Sequence, residues 1–183
     1  MKKVGVILAR FQPIHNGHLE LIKKASSEND EVLLFLGSID KMNSRNPIPW
    51  RIRFQIINQA LDENPLLKDK NIKIIPLSDL TDEKDNSHDW GFYLFSNIVK
   101  EAPGGHYTMY YSDGYQIITS WFPDFILIDH LDLSLLARGA CHGGVSATKV
   151  RELMLQDDPH LKELVPNCVY EKRDLIKSYL KAW

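Results

Sequence analysis

Ten residues, Ala9-Arg10-Phe11-Gln12-Pro13-Ile14-His15-Asn16-Gly17-His18, join an apolar run to an amphipathic one, and this junction limits the fold more than any other stretch. The run before it, Val4-Gly5-Val6-Ile7-Leu8-Ala9, is short, continuous and rich in β-branched residues, the pattern of a parallel-sheet strand buried on both faces. After it, Leu19, Leu21, Ile22 and Ala25 recur at helical spacing, and Asn16 is the expected N-cap. Strand, short stiff loop and helix together predict the start of a βαβ unit, with the loop at the carboxyl end of the strand.

That arrangement puts His18 in the first helical turn, where backbone N–H groups and the macrodipole favour an anion. His15, three residues earlier, converges on the same point. Pro13 stiffens the loop and biases Gln12 toward extended backbone, while Gly17 has no side chain to obstruct a phosphate. Two imidazoles over a helix N-terminus suit phosphoryl-type chemistry, because they donate hydrogen bonds to oxygens that gain charge in the transition state. The plain alternative is that His15 and His18 are ordinary loop and cap histidines.

A second phosphate-type stretch lies far along the chain. After the glycine-rich approach Gly139-Ala140-Cys141-His142-Gly143-Gly144 comes Val145-Ser146-Ala147-Thr148-Lys149-Val150-Arg151. Ser146 is a good N-cap for a helix carrying Val150, Leu153 and Met154 on its apolar face. Lys149 and Arg151 sit early in that helix, opposing the macrodipole at about 0.3–1 kcal/mol each until an anion binds. Hydroxyls, backbone N–H groups and cations together point to a gripped polyphosphate; a capped surface helix with two solvated cations is the alternative.

The first stretch resembles the signature of the nucleotidylyltransferase superfamily, Gly-x-Phe-x-Pro-x-(His/Thr)-x-Gly-His after a first strand, and its Arg-Phe-Gln-Pro form is most similar to the nicotinamide-mononucleotide adenylyltransferase branch. The usual opening glycine is Ala9 here. The second stretch resembles the superfamily's Ile-Ser-x-Thr-x-x-Arg, with Val145 for Ile and Ser146, Thr148 and Arg151 matching. The resemblance implies that His15 and His18 stabilise the transferring phosphorus centre. It further implies that Arg10, Phe11, Gly17, Ser146, Thr148 and Arg151 bind ATP, the last three on its β- and γ-phosphates.

On the acceptor side, Gly37-Ser38 follows the second apolar run, Glu31-Val32-Leu33-Leu34-Phe35-Leu36, and stands either against a nucleotide, as the resemblance implies, or in an ordinary turn. Asn46-Pro47, in a loop from Ile39 expected to be exposed, precedes a helix near Trp50 with Ile52, Ile56, Ile57, Ala60 and Leu61 on one face. This resembles the family's Asn-Pro-Phe-Thr-x-x-Glu-Arg, Arg53 falling at the arginine and Ile52 replacing the glutamate. Arg53 is then a bidentate clamp on a substrate phosphate, or else a solvated surface charge. Trp90, before a helix with Phe92, Phe95, Ile98 and Val99, is placed by the resemblance against a nicotinamide ring; packing in the core is the other reading.

Composition excludes several classes. With 22 Lys+Arg against 24 Asp+Glu the net charge is −2, so no basic field marks a nucleic-acid binder. No run approaches eighteen apolar residues, and Met1-Lys2-Lys3 leads into a core strand instead of a signal peptide, so a cytoplasmic protein off the membrane is expected. Cys141 and Cys168 are too few for a disulfide framework, and Cys141 beside His142 is only a weak hint of metal. Further apolar runs at Asn71–Leu77, Tyr107–Asp113 and Phe125–Asp129 complete five expected strands, with Ser112, Asp113 and Gly114 at the crevice.

The chain is thus read as one α/β domain, 1–183: a doubly wound, mostly parallel five-stranded Rossmann-like sheet, with C-terminal helices over about 146–183 packed on it. The implied reaction is adenylyl transfer from ATP to nicotinamide or nicotinate mononucleotide, giving a dinucleotide and pyrophosphate, with Mg²⁺ carried on the nucleotide and no protein metal site. Other acceptors stay open: pantetheine phosphate, flavin mononucleotide, or a sugar or alcohol phosphate with cytidylyl transfer. So do a non-catalytic nucleotide sensor and a homo-oligomer.

Overall fold

The apolar run after Lys2 forms β1 (Lys3–Ala9), the central strand of a sheet ordered β3-β2-β1-β4-β5 in the computed structural model, which describes residues 1–81, 87–137 and 144–183. Its neighbours are β2 (Glu31–Leu36) and β4 (His106–Ser112), flanked by β3 (Ile72–Pro76) and β5 (Leu131–Leu136). Every adjacent pair is parallel, with Val4 opposite both Glu31 and Tyr107. Parallel strands need crossovers, and helices supply them. Helices α1 (Asn16–Glu28), α2 (Trp50–Glu63) and α3 (His88–Glu101) link the first four strands. A 3₁₀ segment (Asp113–Ser120) and α4 (Asp124–Asp129) lead to β5, and α5 (Ala147–Leu155), α6 (Leu161–Leu164), α7 (Asn167–Glu171) and α8 (Arg173–Leu180) close the chain.

The period-two alternation of the strands sorts their side chains into two cores. Ile7, Leu34 and Leu36 point to one face and pack with Ile22 of α1, Ile57 of α2 and Val150 of α5. Val6, Leu8, Leu33 and Phe35 point to the other and meet Leu94 and Ile98 of α3 and Ile126 of α4. Each such apolar side chain contributes about 1.5–3 kcal/mol on burial. From β1 the chain steps outward to β2 and β3, then returns past β1 to β4 and β5. The winding therefore reverses between β1 and β4, and open sheets of this kind bind ligands at the carboxyl ends of those strands.

Three expectations need correction. Phe125–Asp129 is not a strand: Pro123 starts helix α4 there, and Phe125 and Ile128 lie exposed. The fifth strand is the alternating Leu131-Asp132-Leu133-Ser134-Leu135-Leu136, whose half-polar pattern fits a sheet edge. Helix α1 is capped by His15, one residue earlier than Asn16, whose side chain instead donates to the Glu163 carbonyl at 3.0 Å. Finally, the loop after β2 is exposed at Asp40 and over Met42–Arg45, but Asn46, Pro47 and Ile48 are buried. No helix among the described residues is long and apolar enough to cross a membrane.

One helix contact lacks all tolerance. A Cβ added to Gly91 in α3 would lie 2.0 Å from the Trp121 carbonyl oxygen, so α3 would have to move off the end of the 3₁₀ segment. Alanine gains about 1 kcal/mol in helix propensity, but overpacking against backbone commonly costs 1–3 kcal/mol or more. Gly91→Ala is therefore expected to lower stability by about 2 kcal/mol, read as a reduced denaturant midpoint at constant m-value; an unchanged or raised midpoint would contradict this packing.

Candidate functional site

A cavity of about 330 Å³ opens at the reversal point, walled by Ala9 and Arg10 at the end of β1, Tyr110, Tyr111 and Ser112 at the end of β4, and the first turns of α1 and α5. That is within the size range of small-ligand sites. His15, Gly17 and His18 line it from α1, and Ser146, Thr148 and Arg151 line it from α5, with Arg10 and Phe11 between. Two helix N-termini thus converge on one cavity, each bringing the positive end of its dipole. The two stretches singled out in the sequence form one site.

The histidines are held by each other. His15 Nδ1 accepts from the His18 N–H at 3.3 Å, and His18 Nδ1 accepts from the His15 N–H at 3.2 Å, a reciprocal capping box built from two imidazoles. Their rings stack at 3.7 Å with 21° between planes, and the Phe11 ring lies 4.7 Å from His18. With both Nδ1 atoms accepting backbone protons, each neutral ring carries its hydrogen on Nε2. Phe11 holds this arrangement from a left-handed backbone, φ 51°, while 1 % exposed. The Gln12–Pro13 peptide is cis.

Gly17 is also the point where the two segments touch. A Cβ there would stand 3.0 Å from Val145 Cγ1 and 3.1 Å from His15 Cε1, so the glycine lets α1 approach the chain just before Ser146. Ser146 Oγ caps α5 by accepting from the Lys149 N–H at 3.2 Å, as its sequence position predicts. Arg151 turns back across the cavity: Nη1 donates to the Gln12 carbonyl at 2.9 Å, and Nη2 lies 3.4 Å from Thr148 Oγ1. Burial, and then the charge of Arg10, push the Arg151 pKa down, an electrostatic cost that a bound anion would relieve.

The acceptor-side candidates do not line this cavity. Arg53 is 1 % exposed, and its N–H groups are directed at main-chain carbonyls, so it is neither a solvated charge nor, in this conformation, a clamp on phosphate. Burial, then the charge of Arg10, bring its pKa down to about 10, partly offset by Asp79, and it stays protonated at neutral pH. Gly37 and Ser38 are buried in the turn after β2, where Ser38 takes φ 53° and its hydroxyl donates to the Asp79 carboxylate at 2.9 Å. Asn46 Nδ2 donates to Asn43 Oδ1 at 3.1 Å; Asn46 Oδ1 is buried with no hydrogen-bond partner among the described residues. Trp90 lies inside α3, 8 % exposed, edge-on to Trp121 at 5.7 Å and beside Tyr93 at 5.4 Å. For a base to stack on it, the indole would have to turn out of that aromatic cluster.

Cys141, His142 and the glycines 139 and 143 lie outside the described residues, as does much of the acidic stretch before His88. Cys168 is buried, and that burial pushes its thiol up to about 11, which makes it inert. Gln12 is a residue the sequence reading left without a role. Its amide accepts from the Ile48 N–H at 3.0 Å and donates to the Ile48 carbonyl at 3.3 Å, fastening the buried loop to the cavity. A polar amide between Phe11 and Pro13 in an otherwise apolar turn was the available signal.

A family model described as cytidylyltransferase-like matches residues 6–153. The nicotinamide-nucleotide adenylyltransferase of Thermococcus onnurineus is 29% identical over 177 residues, covering 93% of this chain and 82% of that protein. That of Pyrococcus furiosus is 28% identical over 176 residues, covering 92% and 81%. Among solved structures, a bifunctional NMN adenylyltransferase/ADP ribose pyrophosphatase of Francisella tularensis, complexed with AMP and a manganese ion, superposes with a TM-score of 0.70 at 21% identity. All of this chain is covered but only 52% of that one, so the chain spans about half of the bifunctional protein. The NadR protein in complex with NAD and AMP-PNP gives a TM-score of 0.61 at 24% identity, covering 92% of this chain and 46% of that one. At these identities the structural likeness speaks for the fold.

The reciprocal cap has a spectroscopic consequence. Nitrogen NMR of the histidine side chains at neutral to alkaline pH is expected to show both His15 and His18 with hydrogen on Nε2 and a bare, hydrogen-bonded Nδ1. An Nδ1–H signal from either ring would contradict the capping geometry.

Proposed function

The chain belongs to the cytidylyltransferase-like family, and from that premise we propose that it transfers the adenylyl group of ATP to nicotinamide mononucleotide, with the nicotinate form as the second acceptor to be tried. Relatives bearing the nicotinamide-nucleotide adenylyltransferase name align with more than nine-tenths of the chain, which supports this acceptor over the others. One observation carries the reading: the Arg151 side chain reaches the Gln12 carbonyl, so the paired histidines and the Arg151 guanidinium line one cavity.

In the reaction, an oxygen of the mononucleotide phosphate bonds to the α-phosphorus of ATP while the bond from that phosphorus to the α,β-bridging oxygen breaks, and pyrophosphate leaves. His15 and His18 donate from Nε2 to the oxygens that gain charge. Arg10, Ser146, Thr148 and Arg151 hold the leaving phosphates, with the N-terminal turn of α5 behind them. ATP enters as its Mg²⁺ complex, the ion riding on the phosphate oxygens. The acceptor lies toward the β2 turn, where Gly37, Ser38 and Asn46 are buried outside the cavity lining and would have to turn out to contact it. No covalent intermediate is needed; catalysis is positioning plus electrostatics.

Pyrophosphate release from ATP with a panel of acceptor phosphates tests this, nicotinamide mononucleotide being expected to give the highest kcat/KM. His18→Ala is expected to lower kcat by about a hundredfold or more with ATP still bound. Turnover unchanged in that variant, or no release with either pyridine mononucleotide, would refute the reading.

A further inference from the structure

Arg53 reaches three separate segments with one guanidinium. Nε donates to the Ile48 carbonyl at 2.9 Å, Nη1 donates to the carbonyls of Gly37, at 2.9 Å, and of Arg10, and Nη2 donates to the Ser38 carbonyl at 3.1 Å. Those segments are the turn after β1, the turn after β2 and the loop before α2. Two of the carbonyls lie at two of the three places among the described residues where the backbone is left-handed outside glycine: Arg10 precedes Phe11 at φ 51°, and Ser38 itself is at φ 53°. Such residues cost about 1–2 kcal/mol each and persist only where their surroundings hold them. A planar fork of fixed donors is suited to that; a lysine ammonium, with three donors on a flexible stem, is not.

The same network continues to the opposite wall. Ile48 is shared: its carbonyl accepts from Arg53 and from Gln12, and its N–H donates to Gln12 Oε1. The Gln12 carbonyl then accepts from Arg151. An unbroken set of hydrogen bonds therefore runs from Ser38 through Arg53, Ile48 and Gln12 to Arg151, from the acceptor side of the crevice to the side that grips the triphosphate. Resting on the function proposed above, we propose that Arg53 is a positioning residue that couples the two substrates: it fixes the Arg10–Phe11 turn and the β2 turn to each other, so that filling either side stiffens the other. It touches neither substrate.

The coupling is measured by calorimetry on the whole chain, as the ratio of nicotinamide mononucleotide dissociation constants without and with a saturating non-hydrolysable ATP analogue. The wild type is expected to show a ratio of about fivefold or more, within the usual range for linked sites. Arg53→Lys is expected to bring it within about twofold of unity in protein that still melts cooperatively. A residue with only a structural role would lower the melting temperature and leave the ratio of the folded molecules intact. Should Arg53→Lys fail to fold, Gln12→Met, which conserves volume but removes both side-chain bonds to Ile48, is expected to give the same loss. A ratio near one in the wild type, or an undiminished ratio in the folded variant, would overturn the inference. Failure of the wild type to bind either ligand would instead defeat the function on which it rests.

Discussion

The hydrogen bond from Arg151 to the Gln12 carbonyl joins residues 139 apart in the chain, and the site exists because it closes. It acts together with the close approach of Gly17 to Val145 and the core shared by Ile22 and Val150. With these contacts, the first turns of α1 and α5, the histidine pair and two guanidinium groups surround a single space. The sheet makes the closure attainable: the winding reverses between β1 and β4, and a crevice opens at their carboxyl ends. Gly17 removes the last obstacle, letting the α1 turn, the His15 ring and Val145 close to van der Waals contact.

Electrostatics explains why such an assembly wants a polyanion. Arg10, Arg53 and Arg151 stand near enough that the charge of Arg10 lowers the pKa of the other two, on top of what burial does. Lys149 and Arg151 also sit at the wrong end of the α5 dipole. The protein meets these costs in its resting state, and a triphosphate bound as proposed would relieve several of them together. That is a way to concentrate binding energy at the transferring phosphorus, where preorganised donors act without reorganising. The imidazoles contribute through the same economy, since the bonds that cap α1 also set the tautomer.

Local chemistry was legible in the sequence where one segment sufficed to define it. The strand, stiff loop and helix around Arg10 to His18, and the Ser146 cap before Thr148 and Arg151, each declare themselves within ten residues. The parallel sheet followed from the spacing of apolar runs. What escaped depended on partners distant in the chain. Arg53 looked like a surface charge or a phosphate clamp because nothing nearby in sequence shows three sets of carbonyls waiting for it. Phe125 to Asp129 is more apolar than Leu131 to Leu136, yet Pro123 commits the former to a helix and leaves the half-polar stretch to form the sheet edge. His15 displaced Asn16 as the cap because a second imidazole, His18, answers it from the third helical position. Trp90 packs against Trp121, a contact made across two elements that no spacing rule reports.

The central claim is that one polyphosphate is held at once by the segment around His15 to His18 and the segment around Ser146 to Arg151. Amide hydrogen exchange, followed with and without a non-hydrolysable ATP analogue, tests it directly. Joint protection of the first turns of α1 and α5, rising together with analogue concentration along one binding curve, is the result this structure predicts. Protection of either turn alone, or along curves with separate midpoints, would contradict it.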